Sequence, residues 1–381
     1  MKKYIYADRF FFKDSTKGKG YLAIEDGKFG NFTTECPDDA EIVDYQGYWV
    51  APGLVDTHIH GFDGVDVMDN DAAGLRKMSE GLLRTGVTSF LATTLTADHQ
   101  LLTEVAQTIS EVMGTEQGAK IRGIFFEGPY FTEEHKGAQN PKYLSAPSIE
   151  EFHQWQTAAK GAIKKIAVAP EYDNAADFAR QLTAEGVAVA MGHSSATYEE
   201  AQRMAESGAS IFVHTFNGMR GFTHREPGLA GAALTMNNTY RELICDGHHV
   251  HPKACDLLMK AAGHNHVVMI TDCMRAGGMP EGHYMLGELP VTVKNGTARL
   301  EAGNLAGSIL QLKDGIHNVV DWEIATPAQA VMMASFVPAM SCHLDQVCGQ
   351  LTAGYEADFI ILTPQMELVA TYLDGECRYK A

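Results

Sequence analysis

The chain has 381 residues, long for one domain, so a second, smaller unit is expected beside a large one. No stretch of about 20 apolar residues free of charge occurs, which excludes a membrane-spanning helix. A formal net charge of −18 disfavours nucleic acid as a partner and means that an anionic substrate must be held by a local positive spot. The opening Met-Lys-Lys-Tyr-Ile-Tyr-Ala-Asp-Arg breaks its apolar run too early for a signal peptide, so a cytoplasmic protein is expected. Seven dispersed cysteines, with no Cys-x-x-Cys pair, read as reduced core thiols.

Residues 1–50 read as short strands and turns: Tyr4-Ile5-Tyr6, Tyr21 to Ile24 and Glu41 to Asp44, with turn signals at Glu25-Asp26-Gly27-Lys28 and Pro37-Asp38-Asp39. The middle then alternates in βα units. Strands are expected at 53–60, 87–95, 121–127, 163–169, 187–192, 209–214, 241–246 and 266–271. Helical spacing is expected over 71–84, 97–113, 148–160, 173–185, 197–207 and 252–262, and Thr197 with Glu200 predicts a capping box. Residues 274–308 form a longer excursion with a hairpin around Asn295-Gly296, and a helix near 326–336 closes the unit. The C-terminal end returns to strand texture, at 357–362 and 367–372 with a turn at Asp374-Gly375. Neither end has enough strands to bury a face alone. The expected architecture is α/β: a (β/α)8 TIM barrel at 51–344 with a small β-sandwich-like domain formed from 1–50 plus 345–381.

Six side chains able to bind metal fall at the ends of the predicted barrel strands, where such barrels build their sites. His58 and His60 close the first strand, and spacing of two on a strand puts both imidazoles on one face with Asp56. Glu127 follows Ile-Phe-Phe and precedes Gly128-Pro129; a carboxylate there is costly to bury unless paired, and its two oxygens can bridge two ions. His193 and His214 end the fifth and sixth strands, and Asp272 ends the eighth, placed to bind metal or act as a general base. His248, His249 and His251 crowd the loop after the seventh strand, and spacing does not choose among them. The loop from Asn217 to Gly228 carries glycines, Arg220 and Arg225, a composition suited to an anion such as phosphate or to a solvated turn. This pattern points to metal-assisted hydrolysis.

The strings Pro52-Gly53-Leu54-Val55-Asp56-Thr57-His58-Ile59-His60-Gly61, Phe126-Glu127-Gly128-Pro129-Tyr130, Gly192-His193-Ser194 and His214-Thr215-Phe216-Asn217-Gly218-Met219 resemble the amidohydrolase superfamily. Together with Arg225-Glu226-Pro227-Gly228-Leu229-Ala230-Gly231, Asp246-Gly247-His248-His249, Thr271-Asp272-Cys273-Met274 and Leu305-Ala306-Gly307-Ser308, these strings resemble, nearly end to end, its N-acetylglucosamine-6-phosphate deacetylases, the first string being shared widely in the superfamily. The resemblance implies deacetylation of a small phosphorylated amino sugar, N-acetyl-D-glucosamine 6-phosphate, by a homodimer using one or two divalent ions, Zn2+ or Fe2+. It implies metal ligation by Glu127, His193 and His214, and by His58 and His60 for a second ion. It makes Asp272 the catalytic acid/base and His249 the contact to the acetyl carbonyl. It implies substrate contacts at Ala138, Asn217, Gly218, Arg225, Leu305, Ala306 and Gly307. Gln139 departs from members that carry histidine there. Lys164 and Lys165 lie at the beginning of the fourth strand, the wrong end for a carbamylated lysine ligand. The competing readings are an amidohydrolase acting on another N-acyl sugar or a cyclic amide, and a catalytically silent barrel used for binding.

Overall fold

The structure, a computed structural model, describes residues 2–38 and 40–381. Eight strands, each buried on both faces, form a parallel sheet: Leu54–Ile59, Val87–Thr94, Lys120–Glu127, Ile163–Val168, Ala188–Met191, Ile211–Phe212, Tyr240–Ile244 and Val267–Ile270. Each pairs with its sequence neighbour, as βα alternation requires. The eighth returns to the first through backbone bonds from Asp272 N–H to His58 C=O (2.9 Å) and from His60 N–H to Cys273 C=O (2.9 Å), which closes the barrel.

Helices Ala72–Leu82, His99–Val112, Ile149–Ala158, Ala175–Ala184, Tyr198–Glu206 and Pro252–Ala262 stand where the apolar spacing predicts them, and Thr197 with Glu200 makes the expected capping box. Two helices depart from the sequence reading. Gly228–Thr235 begins in what reads as loop, and the helix following the eighth strand is Leu312–Asp321, not the one near 326. The latter is two short helices, Pro327–Met333 and Phe336–Ser341. The excursion holds three antiparallel strands, Gly282–Leu286, Leu289–Lys294 and Thr297–Leu300, one more than the expected hairpin.

Both chain ends enter one eight-stranded sheet. Its joint is the antiparallel pairing of Phe359–Leu362 with Glu41–Pro52. Ile5, Phe10, Leu22 and Ile24 from one end share an apolar cluster with Phe359, Ile361 and Tyr372 from the other, and the Phe359 and Tyr372 rings stack at 4.3 Å. Five of the seven cysteines are buried; Cys36 and Cys377 are exposed, against the expectation of core thiols throughout. No helix among the described residues is long and apolar enough to cross a membrane.

Candidate metal centre

The six expected ligands meet at the C-terminal mouth of the barrel in two buried triads: Glu127, His193 and His214, and His58, His60 and Asp272. Local backbone geometry places three of them. His193, His214 and Asp272 have positive φ (46°, 27° and 50°), so the chain turns sharply as each strand ends. Such conformations cost about 1–3 kcal/mol for a non-glycine residue and concentrate at functional sites.

The four imidazoles are oriented alike. Each Nδ1 faces an oxygen: Glu242 Oε2 for His58 (3.0 Å), Thr93 C=O for His60 (3.2 Å), His135 C=O for His193 (2.9 Å) and Asn217 C=O for His214 (3.1 Å). A proton on each Nδ1 leaves the Nε2 lone pair free for a cation. The Nε2 atoms do converge, 3.3 Å apart for His58 and His60 and 3.0 Å apart for His193 and His214. Two ligands bound at about 2.1 Å in tetrahedral geometry stand about 3.4 Å apart, so the spacing fits. Glu127 joins the triads. Its Oε1 lies 3.3 Å from His193 Nε2, 3.1 Å from His214 Nε2 and 3.3 Å from His58 Nε2. Its Oε2 lies 3.2 Å from His60 Nε2. Asp272 Oδ1 is 3.2 Å from His60 Nε2 and 3.4 Å from His58 Nε2.

Electrostatics bind the cluster together. Burial disfavours charge on His58, but Glu127, Asp272 and Glu242 outweigh it and raise the ring to about 9. Burial likewise opposes charge on His60, and Asp272 and Glu127 raise it to about 10. Burial pushes the Glu127 carboxyl up, yet the surrounding imidazoles hold it well below the usual carboxylate range; Asp272 is lowered in the same way by His58 and His60. Protons and a cation compete for the same Nε2 atoms, so metal binding here is linked to proton release. The mixed nitrogen and oxygen donors suit a divalent cation.

A sequence profile of the Amidohydrolase family matches residues 49–377. The chain belongs to the amidohydrolase family. It is 40% identical to the N-acetylglucosamine-6-phosphate deacetylase of Vibrio furnissii, over 87% of this chain and 83% of that one. It is 37% identical to the N-acetylgalactosamine-6-phosphate deacetylase of Escherichia coli O157:H7, over 89% and 90%. The fold superposes, with a TM-score of 0.94, 28% identity and full coverage of both chains, on the Mycobacterium smegmatis N-acetyl-D-glucosamine-6-phosphate deacetylase, an Asp-to-Ala mutant in complex with N-acetyl-D-glucosamine 6-phosphate.

Five of the six triad side chains, all but the fully buried His58, floor a cavity of about 400 Å3. Ala138, Asn217, Gly218, His249, Leu305 and Gly307 line it, as the sequence reading expects of substrate positions. Gly218 has φ +57°, and a Cβ there would lie 2.9 Å from His193 Nδ1, so only glycine lets the wall approach that ring. Two expected positions fall outside the lining. Ala306 is buried in the apolar cluster behind it, and Arg225 sits on an exposed turn. The three loop histidines separate cleanly. His249 faces the cavity with Nδ1 2.6 Å from Asp246 Oδ2; His251 caps the helix Pro252–Ala262; His248 faces a neighbouring depression.

Three residues of the amidohydrolase site were not expected from sequence. Gln139 donates to Glu127 Oε2 at 2.7 Å and accepts Thr96 N–H at 2.9 Å, so it clamps the bridging carboxylate. Glu242 supports His58 from behind and ion-pairs with Lys165, which is buried inside the barrel. Arg299, from the excursion, lines the cavity. Gln139 was visible as a departure from family pattern; the other two carry no local signal.

Proposed function

We propose that this chain hydrolyses the acetamide of N-acetyl-D-glucosamine 6-phosphate, giving D-glucosamine 6-phosphate and acetate, as a cytoplasmic homodimer serving amino-sugar breakdown. The observation that carries the reading is the pair of triads, joined by Glu127, at the base of a sugar-sized cavity that Asp272 and His249 also face. The named activities of the Vibrio and Mycobacterium relatives support the same substrate.

In this reading Glu127, His193 and His214 hold one divalent ion, zinc or iron, and His58, His60 and Asp272 hold a second. When bound, such an ion supplies Lewis acidity and lowers the pKa of water toward about 7. Asp272, kept ionised by His58 and His60, takes the proton of the water that attacks the acetamide carbon. It then delivers that proton to the departing amine. Asp246 holds His249 at Nδ1, which fixes the ring facing the cavity, where it contacts the acetyl carbonyl. Asn217, Gly218, Ala138, Leu305 and Gly307 form the wall against the sugar.

The test is acetate release from N-acetyl-D-glucosamine 6-phosphate by the metal-loaded protein, run beside Asp272→Asn. That variant should keep its fold and lose roughly 10²–10⁴ in kcat. Near wild-type turnover in it would remove Asp272 from the mechanism. The Escherichia coli relative, an N-acetylgalactosamine-6-phosphate deacetylase, favours a second substrate, the C4 epimer. The ratio of kcat/KM values for the two epimers decides between them.

A further inference from the structure

We propose that Glu171, just past the end of the fourth barrel strand, is a positioning residue that sets His193 for the cation shared with Glu127 and His214. The inference rests on the metal-centre reading and goes beyond its six ligands, none of which Glu171 touches through its side chain.

The fourth strand, Ile163–Val168, supplies no ligand. The loop that follows it is nevertheless built around one carboxylate. Glu171 Oε1 accepts the Thr132 hydroxyl at 2.5 Å and the Ser195 backbone N–H at 2.8 Å, and its Oε2 accepts the Ser194 hydroxyl at 2.5 Å. Among the described residues, no lysine, arginine or histidine forms an ion pair with it. The direction of one bond is fixed: Ser194 Oγ also accepts the Ala196 N–H at 2.9 Å, so its single proton is left for Glu171. An ionised carboxylate accepts and never donates, which suits a place where every neighbour donates. Hydrogen bonds to such a charge are short and roughly twice as strong as neutral ones. One side chain thus ties together the loops after the third, fourth and fifth strands.

The tie bears on His193 through the backbone. With φ +46°, His193 lies in the left-handed region, where a residue with a Cβ persists only if its surroundings over-determine it. Ser194, the next residue, is held at three atoms. Its N–H donates to Gly218 C=O at 3.1 Å, its C=O accepts the Arg220 N–H at 3.0 Å, and its hydroxyl binds Glu171. The first two holds come from the loop after the sixth strand; only the third reaches back to the fourth. On the other side, His193 C=O accepts the N–H of Thr132 at 3.4 Å, the residue whose hydroxyl also binds Glu171. The same stretch steadies the ring: His135 C=O faces Nδ1, and the Phe131 ring lies 4.5 Å from the imidazole centre. Removing Glu171 therefore releases Ser194 and Thr132 together, on both sides of the strained residue. The other triad is independent of it. His58 and His60 are backed by Glu242 and Thr93, and Asp272 comes from the end of the eighth strand.

The experiment titrates Zn2+ into metal-stripped full-length protein against a competing chelator, for wild type, Glu171→Ala, Glu171→Gln, Ser194→Ala and the double variant Glu171→Ala with Ser194→Ala. Loss of a group that orients a ligand costs about 10- to 100-fold in metal affinity. Glu171→Ala should weaken one of two Zn2+ equivalents by that factor and leave the other near wild type. Repeating it on His58→Ala with His60→Ala, where the Glu127, His193 and His214 ligands remain, should show the same loss. Ser194→Ala should weaken the same equivalent, and the double variant should lose less than the sum of the two single losses, because both act through one bond. Glu171→Gln keeps an oxygen for Thr132 and Ser195 and should lose less than Glu171→Ala. A fall in the urea midpoint of the metal-free protein with both Zn2+ affinities unchanged would reduce Glu171 to a structural residue and overturn the assignment. Equal weakening of both equivalents, or strictly additive losses in the double variant, would overturn it too. If Glu171→Ala does not fold, Glu171→Gln and Ser194→Ala carry the same comparison. Failure of the metal-centre reading would look different: wild type itself would bind no Zn2+.

Discussion

Glu242 touches both triads from below. Its Oε2 faces His58 Nδ1 at 3.0 Å and accepts the His214 backbone N–H at 3.3 Å, while its Oε1 pairs with Lys165. Lys165 also donates to Thr57 C=O at 3.2 Å and lies 3.6 Å from the centre of the Phe125 ring. Burial pushes the Glu242 carboxyl up, and Lys165 and His58 bring it below its ordinary range. A buried ion pair is weak support for stability, because desolvation offsets the attraction. Its stronger consequence here is orientation: Glu242 keeps the proton on His58 Nδ1 and turns Nε2 toward the cation position. Two double variants separate orientation from packing. Lys165→Met with Glu242→Gln removes the charges but keeps an acceptor for His58, and should retain the ion at His58, His60 and Asp272. Lys165→Met with Glu242→Leu removes the acceptor too, and should weaken that ion by roughly 10- to 100-fold in chelator competition followed by metal analysis. Equal affinities would reduce the contact to packing. None of this was legible in the sequence. Glu242 lies 77 residues from Lys165 and 184 from His58, and nothing local marks a carboxylate whose partners arrive only when the barrel closes. The six clustered side chains themselves were legible, because each interrupts an apolar run at its end.

Strands decide how the two triads can be separated. His58 and His60 belong to the first strand and its end, whereas Glu127, His193 and His214 come from the third, fifth and sixth. Replacing both His58 and His60 with alanine should therefore remove one ion and leave the other, read as metal equivalents per chain. Simultaneous loss of both would mean that Glu127 binds only as a bridge and that the site is one unit. The eight strands were readable because burial on both faces turns each into a short apolar run bounded by glycine, proline or polar residues. The helix Gly228–Thr235 was not, and its burial says why. Residues 228–233, Gly-Leu-Ala-Gly-Ala-Ala, are all buried, so no polar face exists to reveal a period. Leu312–Asp321 does carry the period, at Leu312, Ile316 and Val319, but it starts without a side-chain cap and holds Gly315, so its boundary signals are weak. The hairpin's alternation was visible while its role as cavity wall was not, since that depends on where a 35-residue excursion (274–308) folds back.

At the scale of the molecule, we propose that residues 1–50 with 345–381 form one unit, joined to the barrel of 51–344 by an ionic seam. Lys120, at the start of the third barrel strand, reaches Glu356 at 2.8 Å, Asp358 at 2.9 Å and Asp374 at 2.7 Å, and Arg122 pairs with Glu356 as well. The strand texture of both ends foretold their union, but these partners are 234 to 254 residues apart and were invisible. The three carboxylates lie close enough to hold a cation, and the lysine and arginine already supply the charge. Lys120→Met leaves the acids facing one another with Arg122 alone. Charge-assisted hydrogen bonds contribute about 1.5–3 kcal/mol, and partial exposure of Glu356 and Asp374 screens part of it, so a loss of about 2 kcal/mol is expected near neutral pH. The pH dependence has a definite sign. Burial raises Glu356, but Arg122 and Lys120 outweigh it and hold its carboxyl below the ordinary value of 4.5. A depressed carboxylate contributes stability above its unfolded value and loses it as pH falls through its folded one. Protonation also relieves the repulsion that the variant suffers. The gap in unfolding free energy between wild type and Lys120→Met, measured by urea titration, should therefore be widest near pH 7 and shrink toward pH 4. A gap that is absent at pH 7, or that grows on acidification, would show that the two units are held together by the apolar packing of Phe11, Ile360, Leu362 and Leu373 with Leu54 and Leu83 of the barrel and not by these charges.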